Sequence, residues 1–80
     1  MADHESWDAG LASLYDAHHR SLVMLAALLV RDEATADQIV QDSFAAAHSA
    51  WPRLRDDEKA LAYVRQCVVN RAGSVLRHRA

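Results

Sequence analysis

The last third of the chain carries side chains that are suited to binding a nucleic acid. Lysine and arginine neutralise phosphates, glutamine and asparagine pair with base edges, and an aromatic ring can stack on an unpaired base. If this segment is a helix, at about 100° per residue, these types fall in one line: Lys59, Tyr63, Gln66, Asn70, Gly73, Ser74 and Arg77, flanked by Arg65 and Arg71. We predict a DNA-binding face on which Tyr63 is exposed. An ordinary solvated helix face is the alternative.

The charge of the chain is divided between its two parts. Residues 1–51 contain eight acids and two bases, a net charge of −6, whereas residues 52–80 contain seven bases and three acids, a net charge of +4. From Lys59 onward there are five Lys or Arg residues and no acid. The resulting positive field attracts a polyanion, and this favours DNA over a face without a partner.

A second polar surface is predicted on the segment that precedes Trp51. Its outward side carries amides, carboxylates and one small residue: Asp37, Gln38, Gln41, Asp42 and Ala45. Hydrogen bonds and opposite charges would set the register of a basic partner helix, and the small Ala45 would permit its close approach. A plain surface is the alternative that this stripe leaves open.

Helical periodicity runs through the chain and predicts the elements that hold both surfaces. Apolar residues at spacings of three and four indicate a first helix at about 7–30, and a second that Asp32 caps and Pro52 ends near Trp51. After a short loop, a last helix spans 57–78, with acids in its first turn and bases in its last. Its predicted core stripe is Leu61, Val64, Val68, Ala72 and Val75, flanked by Val69 and Leu76.

Size and composition allow a single domain over residues 1–80. Half of the residues are hydrophobic and there are only two Gly and one Pro, which favours an all-α fold, a compact three- to four-helix bundle.

The single Cys67 excludes an internal disulfide and fits a reducing cytoplasm. The longest apolar stretch, Leu22–Val30, is shorter than the roughly 20 residues that span a bilayer, and Met1 is not followed by an export signal. We expect a cytoplasmic protein without a membrane span.

Two segments resemble the region 2 signature of extracytoplasmic-function (ECF) sigma factors. In the first, Leu28–Phe44, an alanine, acids, aliphatic residues, a glutamine and a phenylalanine follow a leucine pair and an acidic cap. The second, Ala62–Ala72 with the basic 76–79, resembles the family's promoter-recognition helix, and Trp51–Leu54 resembles the connecting loop. The resemblance covers about Leu11–Arg79. Two separate motifs in the family's order and spacing are more specific than either motif alone.

The resemblance implies a sigma factor that binds core RNA polymerase and opens promoter DNA. The second helix would dock on the clamp helices of the polymerase β′ subunit, and the positions carried over are Asp37, Gln38, Gln41, Asp42 and Phe44. The loop and last helix would hold the non-template strand of the minus-ten element with one base flipped out of the stack. Aromatic and polar contacts to that base would offset an unstacking cost of about a few kcal/mol. The implied DNA contacts are Arg53, Arg55, Lys59, Tyr63, Asn70, Arg71 and Arg77, of which Tyr63 and Asn70 would contact bases.

The chain departs from the family pattern in two ways. Gln38 stands where the family usually has an acid, which removes one charge contact but keeps a hydrogen bond, so we expect weaker polymerase binding. The family's linker and its helix-turn-helix domain for the minus-thirty-five element, region 4, have no counterpart after Ala80. We therefore expect a domain that lacks region 4.

An enzyme and a pure protein-interaction module are the alternative functions. Five histidines with neighbouring acids could in principle form a metal or acid–base site. However, no Glu-x-x-His or His-x-x-x-His pair occurs, and His18 falls on the apolar stripe of the first helix. We expect no enzymatic activity, no metal and no cofactor. A helical module that an anti-sigma protein binds, with no DNA role of its own, is disfavoured by the basic last helix. Since anti-sigma proteins often cover these same surfaces in the family, such a partner also fits the sigma prediction.

Overall fold

Three helices form the described part of the chain. The computed structural model describes residues 7–54 and 56–79, which form α1 (Ala9–Val30), α2 (Glu33–Leu54) and α3 (Asp57–Arg79). Within these residues there is no strand, so the all-α prediction is confirmed. No described helix is both long enough and apolar enough to cross a membrane.

An aspartate caps the start of each helix. The Asp8 carboxylate accepts from the Gly10 N–H at 2.8 Å, and Asp32 accepts from the Ala34 N–H at 3.2 Å. Asp56 accepts from the N–H groups of Glu58 and Lys59, at 2.9 and 3.1 Å. These side chains satisfy amides that have no partner within the helix, and the capping role predicted for Asp32 is confirmed.

The end of α2 differs from the prediction, because the helix continues through Pro52 to Leu54. Trp51 and Leu54 both pack against the core, and their burial offsets the hydrogen bond that Pro52 cannot donate. A Cβ at Gly10 would lie 3.0 Å from Cζ2 of Trp51, so this glycine lets the indole lie against α1. Arg53 is therefore an exposed residue of the last turn of α2 rather than a loop residue.

The core lies along the line where the three helices meet. Its largest fully buried side chains include Phe44 of α2 and Leu11 of α1. On α3 the predicted stripe is confirmed at Val64, Val68 and Ala72, and Ala60 extends it. The two flanking residues predicted for this stripe are instead exposed, Val69 by 47% and Leu76 by 42%. Because α3 packs against two helices, it buries fewer of its apolar residues than the sequence pattern predicts.

Contacts between the helix ends define their directions. Arg79, at the end of α3, donates to the Val30 carbonyl at the end of α1 and forms an ion pair of 3.6 Å with Asp32. The first turns of α3 adjoin the first half of α1, where Leu61 and His18 line one groove. Hence α3 runs alongside α1 in the same direction and opposite to α2.

Candidate functional site

The outer face of α3 presents most of the predicted DNA-binding residues to solvent. Lys59, Gln66, Asn70 and Arg77 are exposed, as is the flanking Arg65. The Gln66 Nε2 donates to Asn70 Oδ1 at 3.0 Å, which fixes the two amides relative to each other. No acid is interspersed among these residues, so the face carries an unopposed positive charge.

Tyr63 is less exposed than predicted. Its ring is half-buried and packs against the core, while position 63 lies on the same side of α3 as Asn70. The long aromatic side chain reaches the core from a position about 100° away from the fully buried Val64. A ring held in this way loses little freedom when a base stacks on it.

Arg71 does not lie on the same face as the other predicted DNA contacts. It lines a groove between α2 and α3 together with Gln38 and Asp42, on one flank of the face that the sequence predicts. At about 100° per residue, Arg71 falls about 120° from Arg77 around α3. Position 71 thus turns toward the neighbouring helix, although its side chain remains exposed.

The polar stripe predicted on α2 is present and faces outward. Asp37, Gln38 and Ala45 are exposed, whereas Gln41 and Asp42 are half-buried. Gln38 Nε2 donates to Asp42 Oδ1 at 2.9 Å, so a neutral amide holds one oxygen of this carboxylate. The sequence departure at position 38 therefore has a structural effect, because an acid there would repel Asp42 instead of binding it.

A cluster of aromatic rings supports the stripe from behind. Tyr15 of α1 lies edge-on to Phe44, with ring centroids 4.9 Å apart, and stacks on His19 at 4.6 Å. The Gln41 amide donates to the Tyr15 hydroxyl. Phe44 is fully buried and supports the stripe from the core. The sequence does not predict this hydrogen bond, since nothing in the local pattern links two residues 26 positions apart.

The junction between the helix ends has a perturbed carboxylate. The pKa of Asp32 lies below its usual value, chiefly because the Thr35 hydroxyl donates to the carboxylate. The backbone amides of Ala34 and Thr35 and the positive charge of Arg79 act in the same direction. Ionised Asp32 thus links the start of α2 to the end of α3.

The histidines and the cysteine of the described residues do not form a metal-binding cluster. His18, His19 and Cys67 are half-buried, and the buried Nδ1 of His19 has no hydrogen-bond partner. Across residues 7–54 and 56–79 there is no group of three His, Cys, Asp or Glu residues that could hold a metal ion. Arg55, the second arginine predicted to bind DNA next to Arg53, lies outside the described residues.

Comparison with known families identifies this arrangement. The family model described as Sigma-70 region 2 matches residues 14–80, which include all of α2 and α3 and most of α1. The chain therefore belongs to the sigma-70 region 2 family. Sigma-70 region 2 is a non-enzymatic transcription-factor domain, and membership of this family suggests a sigma-factor-type role in RNA polymerase binding and promoter recognition. No curated protein and no solved structure gives a significant match to the chain.

Proposed function

We propose that this domain belongs to an ECF-type sigma factor and performs two binding tasks with two helices. On this proposal, α2 docks on the clamp helices of the polymerase β′ subunit, and α3 holds the non-template strand of the minus-ten element. The observation that carries the proposal is the separation of a polar, mildly acidic stripe on α2 from a basic face without acids on α3. One small bundle thus offers one surface to a protein and another to a polyanion.

Docking through α2 is supported by the way its side chains are held. The exposed Asp37 and Ala45 lie at the two ends of a stripe of about two turns, and Gln38, Gln41 and Asp42 lie between them. The amides of Gln38 and Gln41 are both engaged within the domain. Side chains that are already ordered lose less conformational entropy when a partner helix docks.

DNA binding through α3 is supported by its charge and by Tyr63. Unstacked bases need a π surface, and Tyr63 offers a half-buried aromatic ring that the core holds in place. Lysine and arginine side chains along the DNA strand would neutralise its phosphates, while the paired amides of Gln66 and Asn70 are available for base edges. The proposed DNA contacts are Arg53, Arg55, Lys59, Tyr63, Gln66, Asn70 and Arg77.

The proposal extends to regulation and location. An anti-sigma protein that covers the α2 stripe and the α3 face would block both partners at once. Polymerase and promoter binding both take place in the cytoplasm, which we propose as the location of this protein.

The decisive experiment is a pull-down of purified bacterial core RNA polymerase, and of an isolated β′ clamp-helix fragment, by the 80-residue chain. Wild type should bind both, and Asp42→Arg and Gln41→Ala should weaken binding. Glu58→Arg is the matched control for Asp42→Arg, because it makes the same change of charge in the first turn of α3, beside α1. Absence of wild-type binding by a chain with a helical circular-dichroism spectrum would overturn the proposal.

A further inference from the structure

The groove between α2 and α3 brings together residues that the sequence assigns to different partners. Gln38 and Asp42 form its α2 wall, and Arg71 and Ser74 form its α3 wall. The groove also has an apolar part, to which Ile39 contributes. Such a surface suits a protein side chain with an aliphatic stem and a polar end, because it offers both apolar area and charge.

Arg71 has an unused charge in this groove. Among the residues that the structure describes it forms no hydrogen bond and no ion pair, and Asp42 is bonded instead to Gln38. The groove therefore presents a free cation on one wall and, on the other, a carboxylate that retains acceptor capacity. A partner that carries both signs would complement both walls.

The position of Arg71 also separates it from the path of a DNA strand. The exposed cations and amides at positions 59, 66, 70 and 77 follow one side of α3. Arg71 lies about 100° to 140° away from them around the helix axis. A strand that follows the DNA-binding face would have to turn around the helix to reach Arg71, whereas Arg71 lines the same groove as Gln38 and Asp42 of the docking stripe.

We propose that Arg71 belongs to the polymerase-binding surface and not to the DNA-binding face. This inference rests on the proposed docking of α2 on the polymerase. Arg71 contacts an acidic side chain of the docked polymerase helix, while Asp42 contacts a basic side chain about one turn away on that helix. The docking surface thus includes both α2 and α3, and the two helices must be correctly packed for full affinity.

The test compares Arg71→Ala with Arg77→Ala in the full 80-residue chain, by two binding measurements. The first is the affinity of the N-terminally labelled chain for bacterial core RNA polymerase. The second is the salt dependence of its affinity for a single-stranded oligonucleotide with a minus-ten sequence. Arg71→Ala should lower polymerase affinity about threefold, and Arg71→Glu about tenfold, with no change in the DNA salt slope. Arg77→Ala should leave polymerase affinity unchanged and reduce the salt slope by about 0.7.

The outcomes separate this inference from the proposed function. Wild-type chain that does not bind polymerase would overturn the proposed function itself. If the wild type binds and Asp42→Arg abolishes binding, but both Arg71 variants bind normally, only the inference about Arg71 is wrong. A reduced DNA salt slope in Arg71→Ala with normal polymerase affinity would return Arg71 to the DNA-binding face. Thermal unfolding of each variant checks the fold, and Arg71→Gln, which keeps most of the stem, replaces any variant that unfolds.

Discussion

The side-chain amide of Gln41 on α2 donates a hydrogen bond to the Tyr15 hydroxyl on α1. The bond joins a residue of the proposed docking stripe to a buried aromatic ring, which Phe44 and His19 hold from two sides. The orientation of Gln41 therefore depends on the packing of α1 against α2. The proposed docking surface is in this sense a product of two helices rather than of α2 alone.

Tyr15→Phe should weaken polymerase binding without disrupting the fold. The variant keeps the ring and removes the hydroxyl that accepts from Gln41, so the free energy of unfolding should fall by about 1 kcal/mol. Polymerase affinity should fall as well, because Gln41 is then free to rotate. In a Gln41→Ala background, Tyr15→Phe should have no further effect on polymerase affinity. Equal losses in both backgrounds would mean that Tyr15 does not act through Gln41.

Tyr63→Ala should reduce affinity for single-stranded minus-ten DNA by about 1 to 3 kcal/mol, the usual contribution of one base–aromatic stack. Because Tyr63 also packs against the core, the same variant should lose some stability. Tyr63→Phe is the control, since it keeps the ring for both roles and should bind DNA nearly as well as wild type. Fluorescence anisotropy with a labelled oligonucleotide measures both variants, and full affinity in Tyr63→Ala would remove this residue from the site.

Gly73→Ala should separate stability from DNA binding. A Cβ at this position would meet only the Arg77 Nη1, at 3.5 Å, so the helix has room for alanine. Replacement of a helical glycine by alanine should stabilise the domain by about 0.5 to 1 kcal/mol and raise the midpoint of thermal unfolding by several degrees. If DNA approaches the α3 backbone here, affinity should fall in spite of the greater stability. An unchanged DNA affinity would show that the glycine is not needed for close approach.

Asp32→Asn should cost stability at neutral pH and progressively less in acid. The folded pKa of Asp32 lies below its ordinary value of 3.8, so the ionised form is favoured by folding. Its contribution is fully present above that ordinary value and is lost as pH falls through the lower folded pKa. Urea unfolding of wild type and variant at several values between pH 6 and pH 3 measures this difference. A difference that stays constant over this range would contradict the assignment.

Local sequence determined most of the secondary structure. The periodic apolar residues of α1, α2 and α3 and the cap at Asp32 were predicted within a few residues, because each depends on neighbours within about two turns. The end of α2 was predicted too early because of Pro52, which disfavours helical backbone at the residue before it. The packing of Trp51 and Leu54 against the core outweighs this preference, and such a tertiary contact cannot be read from a local pattern.

The chemistry of the two surfaces was also readable from residue types, whereas their geometry was not. The sequence by itself determined that α3 is basic and that α2 carries a polar stripe, because charge and periodicity are properties of the chain. Only the tertiary structure decided that Tyr63 packs against the core, that Arg71 lines the groove beside α2, and that the Tyr15 hydroxyl accepts a hydrogen bond from Gln41. A helical wheel gives the direction of a side chain relative to its own axis, but the position of the neighbouring helix decides what that side chain meets.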